Sequence, residues 1–414
     1  MNCRHCNTPL NHGFANLYHQ PVSNAFLTGE QLNEPEIYYP LHVYVCEKCF
    51  LVQVAEHKKS VEIFKDDYVY FSSTSSSWVE HARKYVAMVQ KRFGLDADSL
   101  VVEIASNDGY LLQHCVESGV PCMGIEPASN TACIAEAKGI PCLKEFFTSA
   151  LADKLVKEGK RADLLLGNNV LAHVPDINDF VRGVKILLST RGVVTMEFPH
   201  LMELVANNQF DTIYQEHYSY LSFFTVSQIF EMHGLYIFDV EQLSTHGGSL
   251  RIFASHKDGD EYKETPAVSR MLKSEKQAGM QDLGYYENFQ HQIEEAKNNL
   301  LYFLLEQKKQ GKTVAAYGAA AKGNTLLNTC GVKSDLISFC VDKAASKQGM
   351  YMPGSHIPVY EPVHLRDQKP DVVLILPWNI AGEIKCEHHY ISEWGGVFVT
   401  AIPELHIHSN NCSK

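Results

Sequence analysis

Apolar positions along this chain fall into successive patterns. Through residue 65 they form short strand-like runs, such as LHVYVCEKCFLVQV, set in turn-rich sequence. From 66 to about 260, apolar runs alternate with helical stretches. SLVVEIASNDGYLL, CMGIEP, ADLLLGNNVLAHV and GVVTMEF read there as successive strand ends of an α/β sheet. Between about 282 and 310, Tyr286, Phe289, Ile293, Leu300 and Leu304 recur at spacings of three, four or seven. That keeps one apolar face of a long helix inward, and Gly311 stands where such a helix ends. KTVAAYGA, DLISFCVD and PDVVLILPW then read as buried parallel strands of a second α/β unit. No solenoid-type repeat accompanies them. The predicted division is a small domain over 1–65, an α/β domain over 66–260, and a helical linker with a Rossmann-like domain over 261–414.

Composition narrows the function classes. A chain of 414 residues exceeds one ordinary domain, and 45% hydrophobic with 20% charged residues is globular. The net charge of −12, from 36 basic and 48 acidic side chains, repels a phosphate backbone, so nucleic acid is not an expected partner. The opening MNCRHCNTPL lacks an apolar run, so no signal peptide is expected. Nor is there an apolar run of about 18 residues, so no transmembrane helix and no membrane partner are expected. Twelve cysteines without an export signal point to reduced thiols, a metal site and a cytoplasmic address. Large fused domains suit a monomer.

Cys3 and Cys6 form one Cys-x-x-Cys pair, Cys46 and Cys49 another. Chance supplies roughly a third of one such pair in a chain of this composition. Four thiolates make a closed tetrahedral set, the arrangement of a structural zinc with no open position for chemistry. The competing reading is two buried or redox pairs.

VVEIASNDGYLL is a strand, a tight turn and a helix start, with Glu103, Ala105, Asn107, Asp108 and Gly109 at the turn. MGIEPA ends the next strand in Glu126 and Pro127, and an acid there is where doubly wound folds hold a ribose hydroxyl pair. The turn is not G-x-G-x-x-G, so a pyrophosphate is not expected. An acid-rich turn suits a cationic ligand, and S-adenosylmethionine carries a sulfonium and an ammonium. Asn168, Asn169 and His173 in GNNVLAHVP would line the same edge. Order and spacing together predict a class I methyltransferase domain, against a bland alternative of incidental acids.

EIASNDGYLL, GIEPA, NNVLAHVPDINDF, EFPHL, YQEHYSYLS and HGGSLR together resemble the sugar C-methyltransferases. The cysteine pairs match that family's zinc-binding domain, and YGAAAKGNTLLN, KQGMYMPG and PWNIAGEI match its C-terminal domain. The fold class is therefore α/β: a class I methyltransferase (Rossmann-like) domain between a small zinc-binding domain and a C-terminal Rossmann-like α/β domain. The resemblance implies methyl transfer from S-adenosylmethionine to C3 of a dTDP- or GDP-linked 4-keto-6-deoxy sugar. Such chemistry needs a base for the C3 proton and a donor for the developing oxyanion at C4. The resemblance also places catalytic weight on Tyr214, Glu216 and His217, with His217 as base. A neighbouring carboxylate is expected to fix the His217 tautomer or stabilise its charged form. His173 and Tyr68 join them, with Tyr70 as a close alternative to Tyr68. Where the family often has His-Glu-His, this chain has Gln215, Glu216 and His217, one possible ligand or donor fewer. If YQEHYSY were a strand, Glu216 and His217 would face opposite ways. A satisfied core cluster is the competing reading.

Expected substrate contacts are Ser72, then His246, Gly248, Ser249 and Arg251 of STHGGSLRIF. Two glycines there suit close approach to a phosphate or sugar, with arginine as a bidentate grip, although a hairpin turn would also use them. Gly318 and Gly323 have phosphate-loop spacing, but Asn324 stands where the lysine belongs, so ATP hydrolysis is not supported. Lys322 or Asn324 is expected near substrate phosphate, unless the second unit only closes the cleft. Rival functions are a zinc-knuckle methyltransferase acting on RNA or another acceptor, and a non-catalytic sugar-nucleotide binder.

Overall fold

A computed structural model describes residues 1–63, 68, 70–259 and 261–408. The expected boundary between residues 65 and 66 lies outside the described residues, as do Asp66, Asp67 and Val69 of DDYVYFSS and residue 260 beside the second boundary. Strands β1 (His12–Gln20), β2 (Tyr39–Val45) and β3 (Val52–Val54) form an antiparallel sheet. Its alternating burial, such as Leu41, Val43 and Val45 along β2, is that of a half-covered sheet.

The middle domain contains β4 (Val101–Ile104), β5 (Cys122–Ile125), β6 (Cys142–Leu143), β7 (Ala162–Asn168), β8 (Leu188–Pro199), β10 (Leu235–Leu243) and β11 (Ser249–His256). They stand in the order β10-β11-β8-β7-β4-β5-β6. β4 to β8 are mutually parallel, and β11 runs antiparallel between β8 and β10. This is the doubly wound sheet with one reversed strand near an edge that the sequence anticipated as a class I methyltransferase. Its order reverses between β4 and β7, so the loops after those strands open a crevice at their carboxyl ends. β9 (Ser219–Tyr220) leaves this domain and pairs with β3. YQEHYSY therefore bridges two domains: its first residues form a turn and only its end is a strand.

The C-terminal unit has β12 (Val314–Tyr317), β13 (Cys340–Val341), β14 (Val359–Tyr360), β15 (Val372–Ile375), β16 (Val397–Thr400) and β17 (His406–His408), in the order β14-β13-β12-β15-β16-β17. All but β17 are parallel. The predicted linker helix is Phe289–Lys309, preceded by a short turn of helix Gly284–Glu287. Tyr286, Phe289, Ile293, Leu300 and Leu304 are all buried on its inner face, and the chain leaves the helix through Gly311 at φ +71°.

That helix joins the parts. Phe14 of β1 stacks on Phe289 with ring centroids 4.6 Å apart, and one core runs from Phe14 and Leu41 through Ile293 to Leu326. A second core joins the cysteine cluster to the methyltransferase sheet through Leu51, Phe223 and Phe230. Helix Pro266–Ala278 packs Val268 and Met271 into this second core. Burial on this scale disfavours independent movement of the three parts.

Candidate active site

The two Cys-x-x-Cys turns have the same backbone geometry. In each, the residue after the second cysteine is left-handed (Asn7 φ +59°, Phe50 φ +58°) and its N–H donates to the carbonyl of the first. The four thiols lie within 4.8 Å of one another, with Cys3–Cys49 and Cys6–Cys46 at 3.5 Å. Zinc–thiolate bonds of about 2.3 Å in a tetrahedron need sulfurs about 3.8 Å apart. The set fits a structural zinc, and Gln53 Nε2, 3.2 Å from Cys3 Sγ, supports the charge.

The crevice after β4 and β7 opens into a cavity of about 900 Å³ shared by all three parts of the chain. At one end stand Ala105, Asn107, Glu126, Pro127, Asn168 and Asn169. Ala105 and Asn107 are left-handed (φ +56° and +49°), which turns the chain sharply enough for the Asn107 N–H to donate to Glu126 Oε2 at 2.9 Å. The Ala128 N–H donates to Oε1 at 2.9 Å, so both carboxylate oxygens are anchored and each keeps a lone pair. The Asn168 side chain is only 9% exposed, lines the cavity and has the Tyr110 hydroxyl as its polar neighbour. An oriented acid after the second strand, a buried amide facing the cavity and the rings of Phe146 and Phe147 fit S-adenosylmethionine, with its ribose, polar tail and adenine.

Three expected donor contacts are placed elsewhere. Glu103 is buried behind the wall, and burial beside Glu126 and Asp108 raises its pKa well above the usual carboxylate range. Asp108 accepts the Ser73 N–H at 3.2 Å and the Ser73 hydroxyl, so it holds the 70–73 segment over the cavity. Gly109 serves packing: at φ +73° an added Cβ would stand 2.4 Å from Ile140 Cδ1. Asn107 has a second task, accepting the Ser72 N–H at 2.9 Å. Ser72 and Tyr70 do line the cavity.

The other end carries Tyr68, His173, Tyr214, Glu216, His217 and His246. Because residues 214–217 form a turn, Glu216 and His217 both face the cavity, and the alternation objection does not apply. His217 Nδ1 lies 2.8 Å from the Thr212 carbonyl, so Nδ1–H donates there and Nε2 is the basic nitrogen. The expected tautomer-fixing carboxylate is thus replaced by a backbone carbonyl. The Tyr214 ring centroid is 4.0 Å from that of His217, and the His173 ring meets it edge-on at 4.5 Å. Burial, then the neighbouring His173, lowers the His217 pKa well below its usual value. Burial also lowers His173 to about 4. Both rings are neutral at physiological pH. Burial raises the Tyr214 hydroxyl well above its usual range, so it remains a donor. Glu216 accepts Asn24 Nδ2 at 2.7 Å and the Tyr68 hydroxyl, and burial pushes its pKa up to about 7.

The HGG segment differs from expectation. His246, left-handed at φ +54°, lines the cavity and accepts the Asn169 amide at 2.9 Å. Gly247 makes room for protein: a Cβ there would lie 2.4 Å from the Trp378 ring, and one on Gly248 would lie 2.6 Å from Glu203. Ser249 donates back to the Thr245 carbonyl. Arg251 is buried behind the site, bonded to Glu197 and Glu241 at 3.0 Å each and lying over Tyr85. Its guanidinium faces these two carboxylates, and Arg251 is not among the residues that line the cavity. Gly248, Ser249 and Arg251 are therefore supports for the His246 loop.

From the C-terminal unit, Lys322 lines the cavity 4.7 Å above the Trp378 ring, with Asn379 at 2.8 Å and Asp211 as its nearby carboxylate. Asn324 does not reach the cavity; it donates to the Ser23 carbonyl at 2.7 Å and straps the first domain to this one. Pro377 closes the glycine turn, within 2.6 Å of where a Gly318 Cβ would stand. Sequence reasoning missed Asn24, Trp78, Asp211, Lys347 and Trp378. Lys347 lines the cavity with Nζ on the Ala319 carbonyl, in KQGMYMPG, whose match to the family was the one available signal.

The sequence comparisons agree with this architecture. Sequence profiles described as a putative zinc binding domain, a methyltransferase domain and a C-methyltransferase C-terminal domain match residues 3–64, 78–240 and 244–403. C-methyltransferase NovU of Streptomyces niveus is 36% identical over 384 residues, 93% of this chain and 91% of that one. The 1,6-didemethyltoxoflavin-N1-methyltransferase of Burkholderia thailandensis with bound S-adenosylhomocysteine aligns with TM-score 0.37 and 15% identity, over 50% of this chain and 95% of its own. The magnesium protoporphyrin IX methyltransferase of Synechocystis with bound S-adenosylmethionine aligns with TM-score 0.33 and 15% identity, over 44% and 81%. Matched over nine-tenths of its length by a relative named as a C-methyltransferase, and by that family's profiles from end to end, the chain belongs to the C-methyltransferase family.

Proposed function

We propose that this enzyme methylates C3 of a nucleotide-linked 4-keto-6-deoxyhexose. The observation that carries the reading is the neutral His217, its Nδ1–H held by the Thr212 carbonyl and its ring facing the cavity beside Tyr214. S-adenosylmethionine, bound against Glu126, Pro127, Asn107, Asn168 and Asn169, supplies the methyl group. His217 Nε2 removes the C3 proton, which a 4-keto group acidifies. The Tyr214 hydroxyl donates to the oxygen at C4 as negative charge develops there, without carrying charge of its own. Glu216, held by Asn24 and Tyr68, supplies the carboxylate at this end of the cavity. His173 and His246 wall the reacting centre. Lys322 and Lys347 face the sugar-nucleotide's diphosphate, and Ser72 covers the sugar. The domain division over 1–65, 66–260 and 261–414 and a cytoplasmic monomer complete the proposal; among the described residues no helix is long and apolar enough to cross a membrane.

The test is incubation with S-adenosylmethionine and a dTDP- or GDP-4-keto-6-deoxy sugar in deuterated water, followed by mass measurement of the sugar. Gain of one methyl is expected, and a His217→Ala variant should lose both methylation and C3 deuterium uptake. A folded wild-type enzyme that gives neither signal with any of the sugars would overturn the substrate class.

A further inference from the structure

The turn between Cys3 and Cys6 holds two residues, Arg4 and His5, which a metal-binding reading treats as spacers. The structure gives both a long-range task. Arg4 Nη1 donates to the Pro175 carbonyl at 2.8 Å and Nη2 to the Val54 carbonyl at 2.5 Å. The same guanidinium lies 5.4 Å from the centroid of the Tyr218 ring. Pro175 is two residues beyond His173, and Tyr218 follows His217 directly. One side chain thus touches the two segments that carry His173 and His217 to the cavity.

Those segments are joined to each other by the Tyr218 N–H, which donates to the Ala172 carbonyl at 2.8 Å. The turn is fastened to the first segment a second time. Asn178 Nδ2 donates to the His5 carbonyl at 2.9 Å and lies 3.2 Å from the Arg4 carbonyl, while Asn178 Oδ1 is 3.0 Å from His5 Nδ1. At its other end the turn is set by the cysteines: the Arg4 N–H donates to Gln53 Oε1 at 2.9 Å, and Gln53 Nε2 reaches Cys3 Sγ. A planar guanidinium can bridge two carbonyls while one face lies against an aromatic ring; an ammonium cannot do both.

We infer that Arg4 is a positioning residue for methyl transfer: it clasps the His173 and His217 segments together from the cysteine cluster. The inference rests on the assignment of those histidines to the reacting centre. The cysteine cluster then sets the geometry of the acid–base end as well as the fold of the small domain. Displacement of a reacting group by about 1 Å costs on the order of 100-fold in rate, so a loosened clasp should be visible in kcat.

The experiment compares full-length wild type, Arg4→Ala and Arg4→Lys. Zinc content is measured by elemental analysis, S-adenosylmethionine affinity by calorimetry, and methyl transfer and C3 deuterium uptake per zinc-loaded chain. Backbone hydrogen exchange is followed by mass spectrometry over residues 170–178 and 214–220. Arg4→Ala should keep its zinc and bind the donor within about twofold of wild type. Its kcat should fall on the order of 30- to 100-fold with little change in KM. Both segments should exchange faster, and guanidinium ion at millimolar concentration should recover part of the rate. Arg4→Lys should fall between the two. Wild-type kcat in Arg4→Ala, or unchanged exchange in both segments, overturns the inference. So does a rate that falls only in step with lost zinc and donor binding, which would make Arg4 a folding residue. An inactive wild type would instead strike at the proposed reaction, while hydrogen exchange would still decide the clasp.

Discussion

Replacing His246 by asparagine should cost the protein less at pH 5 than at pH 7, by about 2 kcal/mol. Burial, then the Lys322 charge, lowers the His246 pKa to about 4 from its ordinary 6.5. The unfolded chain therefore takes up a proton between those values that the folded chain refuses. Because the folded value is the lower one, wild-type stability from this group is complete above pH 6.5. It is lost as pH falls towards 4. At pH 5, about one and a half pH steps below the unfolded value, the loss is about 1.4 kcal/mol per step. Asparagine tolerates the left-handed backbone at 246 and offers an oxygen to the Asn169 amide, but it has no proton to gain. Buried Glu216 and Asp211, whose pKa values burial raises to about 7 and about 6, shift stability in the opposite sense. They are present in both proteins and cancel in the difference. Urea unfolding of both proteins at pH 7 and pH 5 gives the two gaps. Equal gaps would refute the argument, because His246 would then titrate alike folded and unfolded.

Arg251→Met should destabilise by about 3–5 kcal/mol in urea unfolding, because it leaves Glu197 buried beside a half-buried His81 without its cation. A change below about 1 kcal/mol would return Arg251 to the substrate-contact reading. The kcat/KM of the wild type should rise with pH through about 7 as Glu216 ionises and then level off. Glu216→Gln should lower the plateau and remove that inflection; a variant that keeps it would assign the titration to another group.

Much of the architecture was legible because it rests on local patterns. Cysteine spacing alone proposed the four-thiol cluster, and helical periodicity from Tyr286 to Leu304 marked the buried face that now joins the domains. The two strand-end turns announced Glu126 because an acid after the second strand is a positional feature of the fold. Local sequence misled where side chains are claimed by distant partners. Gly247 and Gly248 look like room for a phosphate, yet Trp378, 131 residues after Gly247, and Glu203 occupy that space. Arg251 looks like a grip, yet Glu197 across the β8–β11 pairing holds it. Asn24 reaches Glu216 across 192 residues, its segment held by Asn324 on the Ser23 carbonyl and by Gln215 on the Gln20 carbonyl.

The sequence by itself determined which residue types are available: four thiols in two turns, an acid after the second strand, and histidine, glutamate and tyrosine side by side at 214–217. Tertiary structure decided which of them meet and in what protonation state. His217 is neutral and tautomerically defined because burial disfavours its charged form and the Thr212 carbonyl accepts a hydrogen bond from its Nδ1–H. Burial pushes the Glu216 pKa up to about 7, although the hydrogen bonds from Asn24 and Tyr68 pull it down. Desolvation and the pairing of distant polar groups depend on what the fold stacks around a residue, which no short stretch of chain encodes.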